Sequence, residues 1–152
     1  MRAMSCNWTS SQSNRLSEGC GRKLVCNNMA CFKWIFILYL AFHSRLLTKD
    51  RLANWGCVDD VDCVLCGSEG ENTSHLFFNC SFSAQIWQKV LWWLNIHKQV
   101  CNWENETSWA VTHCKGKQPR AEVYRIALAS SVYHIWQERN NRIFKVRIEM
   151  LR

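Results

Sequence analysis

The stretch CVLCGSEGENTSHLFFNC, residues 63–80, places three cysteines and one histidine at the spacing C-x2-C-x8-H-x4-C. Zinc takes four sulfur or nitrogen ligands tetrahedrally, and a C-x2-C turn can place two thiolates on one ion. The glycine-containing loop that follows can bend the chain back to the histidine and the last cysteine. We therefore predict one structural zinc ion held by Cys63, Cys66, His75 and Cys80. Such a set leaves no open position for water, so we expect no hydrolytic zinc chemistry.

The main alternative is chance, because the chain has ten cysteines and five histidines, and Cys57 could replace one of the four ligands. The cysteines could instead form disulfides in a secreted, glycosylated protein, since four Asn-x-Ser/Thr sequons are present. However, the first 28 residues are polar and contain no signal-peptide core. We therefore expect reduced cysteines, unused sequons and an intracellular protein, nuclear or cytoplasmic and not secreted.

The periodicity of apolar residues outside the cysteine loop is helical. Trp34, Leu38, Phe42 and Leu46 recur at every fourth position, which is typical of one face of a helix. The most apolar run, 34–42, has nine residues, whereas a membrane span needs about 20. We therefore expect a buried helix and no membrane association, with a signal anchor as the alternative. The predicted helices are 30–47, a short one after Thr48 that ends at 53 or 55, 84–94 after a Ser83 cap, and 119–144 starting at Pro119.

These elements predict a mostly α fold, a small helical domain built around a zinc-knuckle-like loop with a long C-terminal helix. Residues 1–28 are predicted to be a disordered leader, 29–96 the zinc-binding domain and 97–118 a linker loop. Residues 119–145 would then form a helix that packs on the domain.

Several stretches together resemble a known module. LAFHSRLLTKDRL at 40–52, the Trp-Gly pair at 55–56, the ligand pattern, HLFFNC at 75–80 and the Ile-Trp pair at 86–87 resemble the reverse transcriptase zinc-binding domain. This module follows the polymerase in plant non-LTR retrotransposons. The resemblance covers about 36–94 and implies the same four zinc ligands. Residues 127–144 resemble the segment that follows the module, and residues 1–28 show no resemblance.

The resemblance and the net charge of +7 imply weak binding of RNA or DNA, with Arg45, Lys49 and Arg51 as candidate contacts beside Phe77 or Phe78. The alternatives are a structural or protein-interaction zinc module, and a transposon remnant without selected function. We expect no enzyme and no small-molecule substrate, because the separated carboxylates of a polymerase and any phosphate-binding glycine loop are absent from the sequence. Asp59 and Asp60 are interpreted as solvated loop residues.

Overall fold

The computed structural model describes residues 21–26, 28–114 and 116–150, and most of these residues are helical. A π-helical turn covers His75–Asn79, and residues 21–26 form a further helical segment. Within the described ranges there is no strand, only an isolated antiparallel bridge between Asp62 and Gly70. The mostly α prediction is confirmed. The helices are α1 (Phe32–Phe42), α2 (Lys49–Asn54), α3 (Ser81–Trp93), α4 (Trp103–His113) and α5 (Pro119–Met150).

Helix α5 is the longest element, and α1, α3 and the π-helical turn pack against it. It begins at Pro119, a residue suited to a first helical position because its missing N–H would have no partner there. Its buried stripe includes Tyr124, Leu128, Val132 and Ile135, spaced at three and four residues. The helix continues to Met150, beyond the predicted end.

Aromatic rings fill the core between α1, the π-helical turn, α3 and α4. The indole of Trp103 lies 5.2 Å from the ring of Phe42, 5.4 Å from Phe77 and 5.5 Å from Phe78, measured between ring centroids. The ring of Trp87 lies 5.8 Å from Phe78. Tilted and offset pairs at these separations stabilise a core beyond the area that they bury.

The predicted linker loop at 97–118 is wrong for its central part, because α4 occupies Trp103–His113. The side chain of Asn102 accepts a hydrogen bond from the Asn105 N–H at 3.0 Å, which caps the helix N-terminus. The helix also buries the carboxylate of Glu106, which accepts a hydrogen bond from Trp87 Nε1 at 3.0 Å. Because a charged residue lies on the buried face of α4, that face is not uniformly apolar. The periodicity of apolar residues therefore does not identify this helix.

The predicted disordered leader does not extend to residues 21–26, which are helical, while residues 1–20 lie outside the described residues. Leu24 is only 1% exposed, and Asn28 Nδ2 donates to the carbonyl oxygens of Leu24 at 3.2 Å and Arg125 at 2.9 Å. A Cβ added at Gly21 would lie 2.9 Å from Phe42 Cγ, so glycine permits this close approach. These tertiary contacts order a segment that has no apolar period.

Two helix boundaries also differ from the predictions. Helix α1 ends at Phe42 rather than at residue 47, because Ser44 adopts a left-handed conformation with a φ of 49°. Helix α3 begins at Ser81, with Cys80 at its N-cap position, so Ser83 is not the cap. The Ser83 hydroxyl is buried and donates to the Leu76 carbonyl oxygen at 2.6 Å. Among the described residues, no helix has both the length and the hydropathy needed to cross a membrane.

Candidate metal centre

The four predicted ligands lie together at one point of the fold. The ligand atoms of Cys63, Cys66, His75 and Cys80 all lie within 4.8 Å of one another. Cys63 Sγ is 3.9 Å from Cys80 Sγ, and Cys66 Sγ is 3.3 Å from His75 Nε2. Ligand atoms bound tetrahedrally to one zinc ion lie about 3.5–3.8 Å apart, given metal–ligand bonds of about 2.0–2.3 Å. Both the donor set and the spacing therefore fit zinc.

The first two ligands come from a tight turn at the start of residues 61–71, which we call the ligand loop. The Gly67 N–H donates to the Cys63 carbonyl at 2.7 Å, and the Cys63 N–H donates to the Glu69 carbonyl at 2.8 Å. Gly67 has a φ of +66°, a conformation that costs any other L-residue about 1–2 kcal/mol. The turn therefore requires glycine directly after Cys66, and it places both thiols on one side of the loop.

The second two ligands come from the π-helical turn. The Cys80 N–H donates to the His75 carbonyl at 2.7 Å, which is the i to i+5 hydrogen bond of a π-helix. The turn begins where the His75 N–H donates to Asn72 Oδ1 at 2.9 Å. None of the helices predicted from the sequence covers this π-helical turn. The spacing H-x4-C was a usable signal, because ligands five residues apart match the span of the i to i+5 hydrogen bond.

The electrostatic environment differs between two of the thiols. Burial raises the pKa of the Cys63 thiol to about 12, and backbone hydrogen bonds from Cys66 and Leu65 offset this only in part. Burial also raises the pKa of Cys66, but hydrogen bonds from Ser68, and then from His75, outweigh it and lower the pKa to about 6. Cys66 is therefore ionised at neutral pH, whereas Cys63 must lose its proton when it binds a metal ion.

The imidazole of His75 is 4% exposed, with Nε2 directed toward the sulfurs. Its other nitrogen, Nδ1, is buried and lies 3.2 Å from Glu69 Oε2, an ion-pair distance without the alignment of a hydrogen bond. A carboxylate on the far side of a ligand histidine commonly fixes its tautomer and orientation. Glu69 was not predicted as part of the site, and its position between the ligands was the only sequence signal.

A buried ion pair attaches the ligand loop to α5. The Glu71 carboxylate accepts hydrogen bonds from Arg139 Nε at 3.1 Å and Arg139 Nη2 at 2.6 Å, and from the Lys49 N–H at 2.8 Å. Glu71 is 1% exposed and Arg139 is 4% exposed. One turn later, Arg142 Nη1 donates to the Leu65 carbonyl at 3.2 Å. Neither Glu71 nor Arg139 was predicted to belong to the site.

The predicted nucleic-acid contacts differ in their accessibility. Arg45 is exposed. Lys49 Nζ donates to Asp60 Oδ2 at 2.8 Å and to the Asp62 carbonyl at 2.7 Å, so its charge is already paired within the chain. The hydrogen bond that Lys49 donates to Asp60 also lowers the pKa of this exposed carboxyl group. The guanidinium of Arg51 lies 5.3 Å above the ring of Trp55.

Two aromatic predictions and the alternative ligand are not supported. Phe77 and Phe78 are 0% and 3% exposed, so both belong to the core and neither can stack on a base as folded. The exposed Cys57 directs its thiol toward the Trp55 carbonyl at 3.8 Å and is not part of the ligand cluster. The indole of Trp55 is 58% exposed, and it is an accessible aromatic ring that sequence analysis did not identify as a contact.

A helical domain organised around a closed cluster of three cysteines and one histidine is a zinc-binding module. The family model for zinc-binding in reverse transcriptase matches residues 3–87, more than half of the chain, and the chain belongs to this family. No curated protein and no solved structure matches the chain. Because the match begins at residue 3, the interpretation that residues 1–28 show no resemblance is wrong.

Proposed function

We propose that this chain is a non-catalytic zinc module of a reverse transcriptase from a plant non-LTR retrotransposon, and that it binds RNA or DNA weakly. The single observation that carries the proposal is the cluster of four ligand atoms within 4.8 Å, in a chain of the reverse transcriptase zinc-binding family. The residues at 40–52 and 127–144, which resemble the plant sequences, support the narrower origin.

The ligand chemistry supports a structural role for the metal. Three thiolates and an imidazole complete a tetrahedral set, and a zinc ion held in this way has no open position at which to activate water. When bound, the ion would supply cross-linking between the loop and the π-helical turn. Cys63 and Cys80 are 1% and 0% exposed, which also keeps a substrate away from that side of the centre.

The net positive charge of the chain supports a polyanion as partner, although this charge is not distributed evenly along the chain. The chain carries a net charge of +7, and lysine and arginine side chains that neutralise phosphates release counterions. Residues 44–62, however, contain three cations and four aspartates, a net charge of −1. The pairing of Lys49 with Asp60 favours the second candidate, in which the zinc loop has only a structural or protein-interaction role.

Fluorescence anisotropy with the zinc-loaded full chain tests the nucleic-acid proposal. Labelled single-stranded RNA, single-stranded DNA and duplex DNA are titrated at several salt concentrations. We expect weak binding with little sequence preference and an affinity that falls steeply between about 50 and 200 mM salt. If none of the three nucleic acids binds at the lowest salt concentration, the proposal of nucleic-acid binding is rejected in favour of the structural module.

Zinc itself is tested separately by native mass spectrometry, where we expect one ion per chain. A chain that carries no metal, or two ions, contradicts the assignment of the site. The Cys66→Ser variant is the matched control, since it removes one ligand and should carry less metal than the parent.

A further inference from the structure

A basic cleft lies away from the ligand loop, between the helical segment 21–26 and the connection from α4 to α5. It encloses about 770 Å³ and opens to solvent. Its lining includes Lys23, Lys117 and Arg125, with Glu122 as the acidic residue. The segment 21–26 is held against α5 by Asn28, whose side chain donates to the Arg125 carbonyl at 2.9 Å. The cleft is therefore formed by tertiary contacts and could not be predicted from spacing.

The cleft carries more positive charge than residues 44–62, the segment just before the metal ligands. Among the described residues that line it there are three cations and one carboxylate, a net charge of +2, whereas residues 44–62 carry a net charge of −1. Lys23 and Lys117 are exposed, so both ammonium groups are free to move toward a ligand. A concave surface lined by one sign of charge raises the local concentration of the opposite ion.

Arg125 gives this cleft a buried cation that has no ion-pair partner in the part of the chain that the structure describes. Its side chain is 4% exposed, and its Nη1 donates to the carbonyl oxygens of Cys114 at 3.0 Å and Gly116 at 3.1 Å. Its Nε is buried and has no hydrogen-bond partner among the described residues, and no carboxylate of those residues forms an ion pair with it. A buried guanidinium with an unused donor is costly, and an anion that approaches it relieves that cost.

We propose that this cleft binds a phosphate group. Arg125 provides the fixed, buried charge, because its two carbonyl contacts hold the guanidinium in place. Lys23 and Lys117 provide mobile charge at the rim. Arginine and lysine together are the usual protein groups for phosphate recognition. The phosphate would come from a nucleic-acid backbone, in which case the inference rests on the proposed function, or from a free phosphate compound.

The test uses the zinc-loaded full chain and two double variants that each remove two positive charges. Lys23→Gln/Lys117→Gln alters the cleft, and Lys89→Gln/Lys145→Gln, at two exposed lysines outside it, serves as the matched control. Affinity for labelled single-stranded RNA is measured against salt. Each lost phosphate contact should reduce the slope of log affinity against log salt by about 0.7. We expect the cleft variant to lose on the order of 10-fold in affinity at about 50 mM salt, and the control much less.

A second measurement titrates inorganic pyrophosphate and follows the backbone amide signals of Lys23 and Lys117 by NMR. Shifts there, with RNA affinity unchanged in the cleft variant, support the phosphate site and identify free phosphate as its ligand. If the parent chain binds no RNA but pyrophosphate shifts these signals, the proposed function fails and the cleft inference stands. If the cleft variant binds RNA as tightly as the parent and pyrophosphate shifts nothing, the cleft inference is overturned.

Arg125→Lys is a further variant that keeps the charge but removes the planar set of donors. We expect weaker pyrophosphate binding than in the parent, since lysine cannot maintain both carbonyl contacts and also donate to a phosphate. Circular dichroism checks that the helices remain. Should this variant fail to fold, the exposed Lys23 and Lys117 pair still decides the question.

Discussion

The carboxylate of Glu71 is completely buried, and the charge that neutralises it comes from Arg139 on α5. Glu71→Gln removes the negative charge while keeping the size of the side chain. One carboxylate oxygen that accepts from Arg139 at 2.6–3.1 Å in the parent would become an NH2 group, so that at this position a donor would face a guanidinium donor. Breaking a buried ion pair by removing one partner costs about 3–5 kcal/mol, because the other charge stays buried without compensation. We expect a loss of that size in the free energy of unfolding.

The assay is urea denaturation of the zinc-loaded protein, followed by tryptophan fluorescence. The matched control is Glu138→Gln, the same substitution in an exposed pair, where Glu138 accepts from Arg142 Nε at 2.8 Å with 42% of its side chain exposed. Exposed pairs of this kind contribute about 0.3–0.5 kcal/mol. If Glu71→Gln costs no more than Glu138→Gln, the ion pair does not attach the loop to the helix and the reasoning is wrong.

Three further predictions concern the ligand loop. Cys63→Ser, or removal of zinc by a chelator, should abolish hydrogen-exchange protection at 61–71 and reduce it around Arg139, while α5 near Leu128 keeps its protection; unchanged protection at 61–71 would contradict a metal-ordered loop. Gly67→Ala should destabilise the zinc-loaded protein by about 1–2 kcal/mol in urea denaturation because of its positive φ, whereas Gly70→Ala, which has no such φ, should cost less. Zinc affinity, measured by competition with a chromophoric chelator, should rise as the pH increases from 6 to 8, since the raised pKa of Cys63 keeps that thiol protonated until the metal displaces the proton; a flat profile would contradict this.

The sequence was sufficient to predict the cluster of three cysteines and one histidine and the long helix, because both are local patterns. A C-x2-C turn, a nearby histidine and a fourth cysteine limit the geometry within 18 residues. The apolar stripe of α5 repeats at helical spacing, so it identifies the buried face without knowledge of its neighbours. Pro119 indicates where that helix begins. The mostly α class follows from these two signals.

The sequence was not sufficient where a polar side chain is buried or a glycine makes a contact. Glu106 and Glu71 look like solvent-facing residues in a pattern of apolar periodicity, yet each is 1% exposed and hydrogen-bonded. As a result α4 was predicted as a loop, and the attachment of the zinc loop to α5 was missed. The partners lie far apart in the chain, since Glu71 and Arg139 are separated by 68 residues. Only tertiary structure can show such a pair.

Apolar burial holds one part of α5 and the Glu71–Arg139 ion pair holds another, and the two parts depend on the metal to different degrees. Near Tyr124, Leu128 and Val132 the helix is held by apolar burial that needs no ion. Near Arg139 it is held by a charge from the ligand loop, which buries Leu65 but leaves Val61 40% exposed. If loss of zinc disorders the loop, Glu71 no longer compensates Arg139, and a guanidinium that is 4% exposed must reach water. We expect the C-terminal half of the helix then to move or unfold, in which case zinc stabilises a region beyond its own ligands.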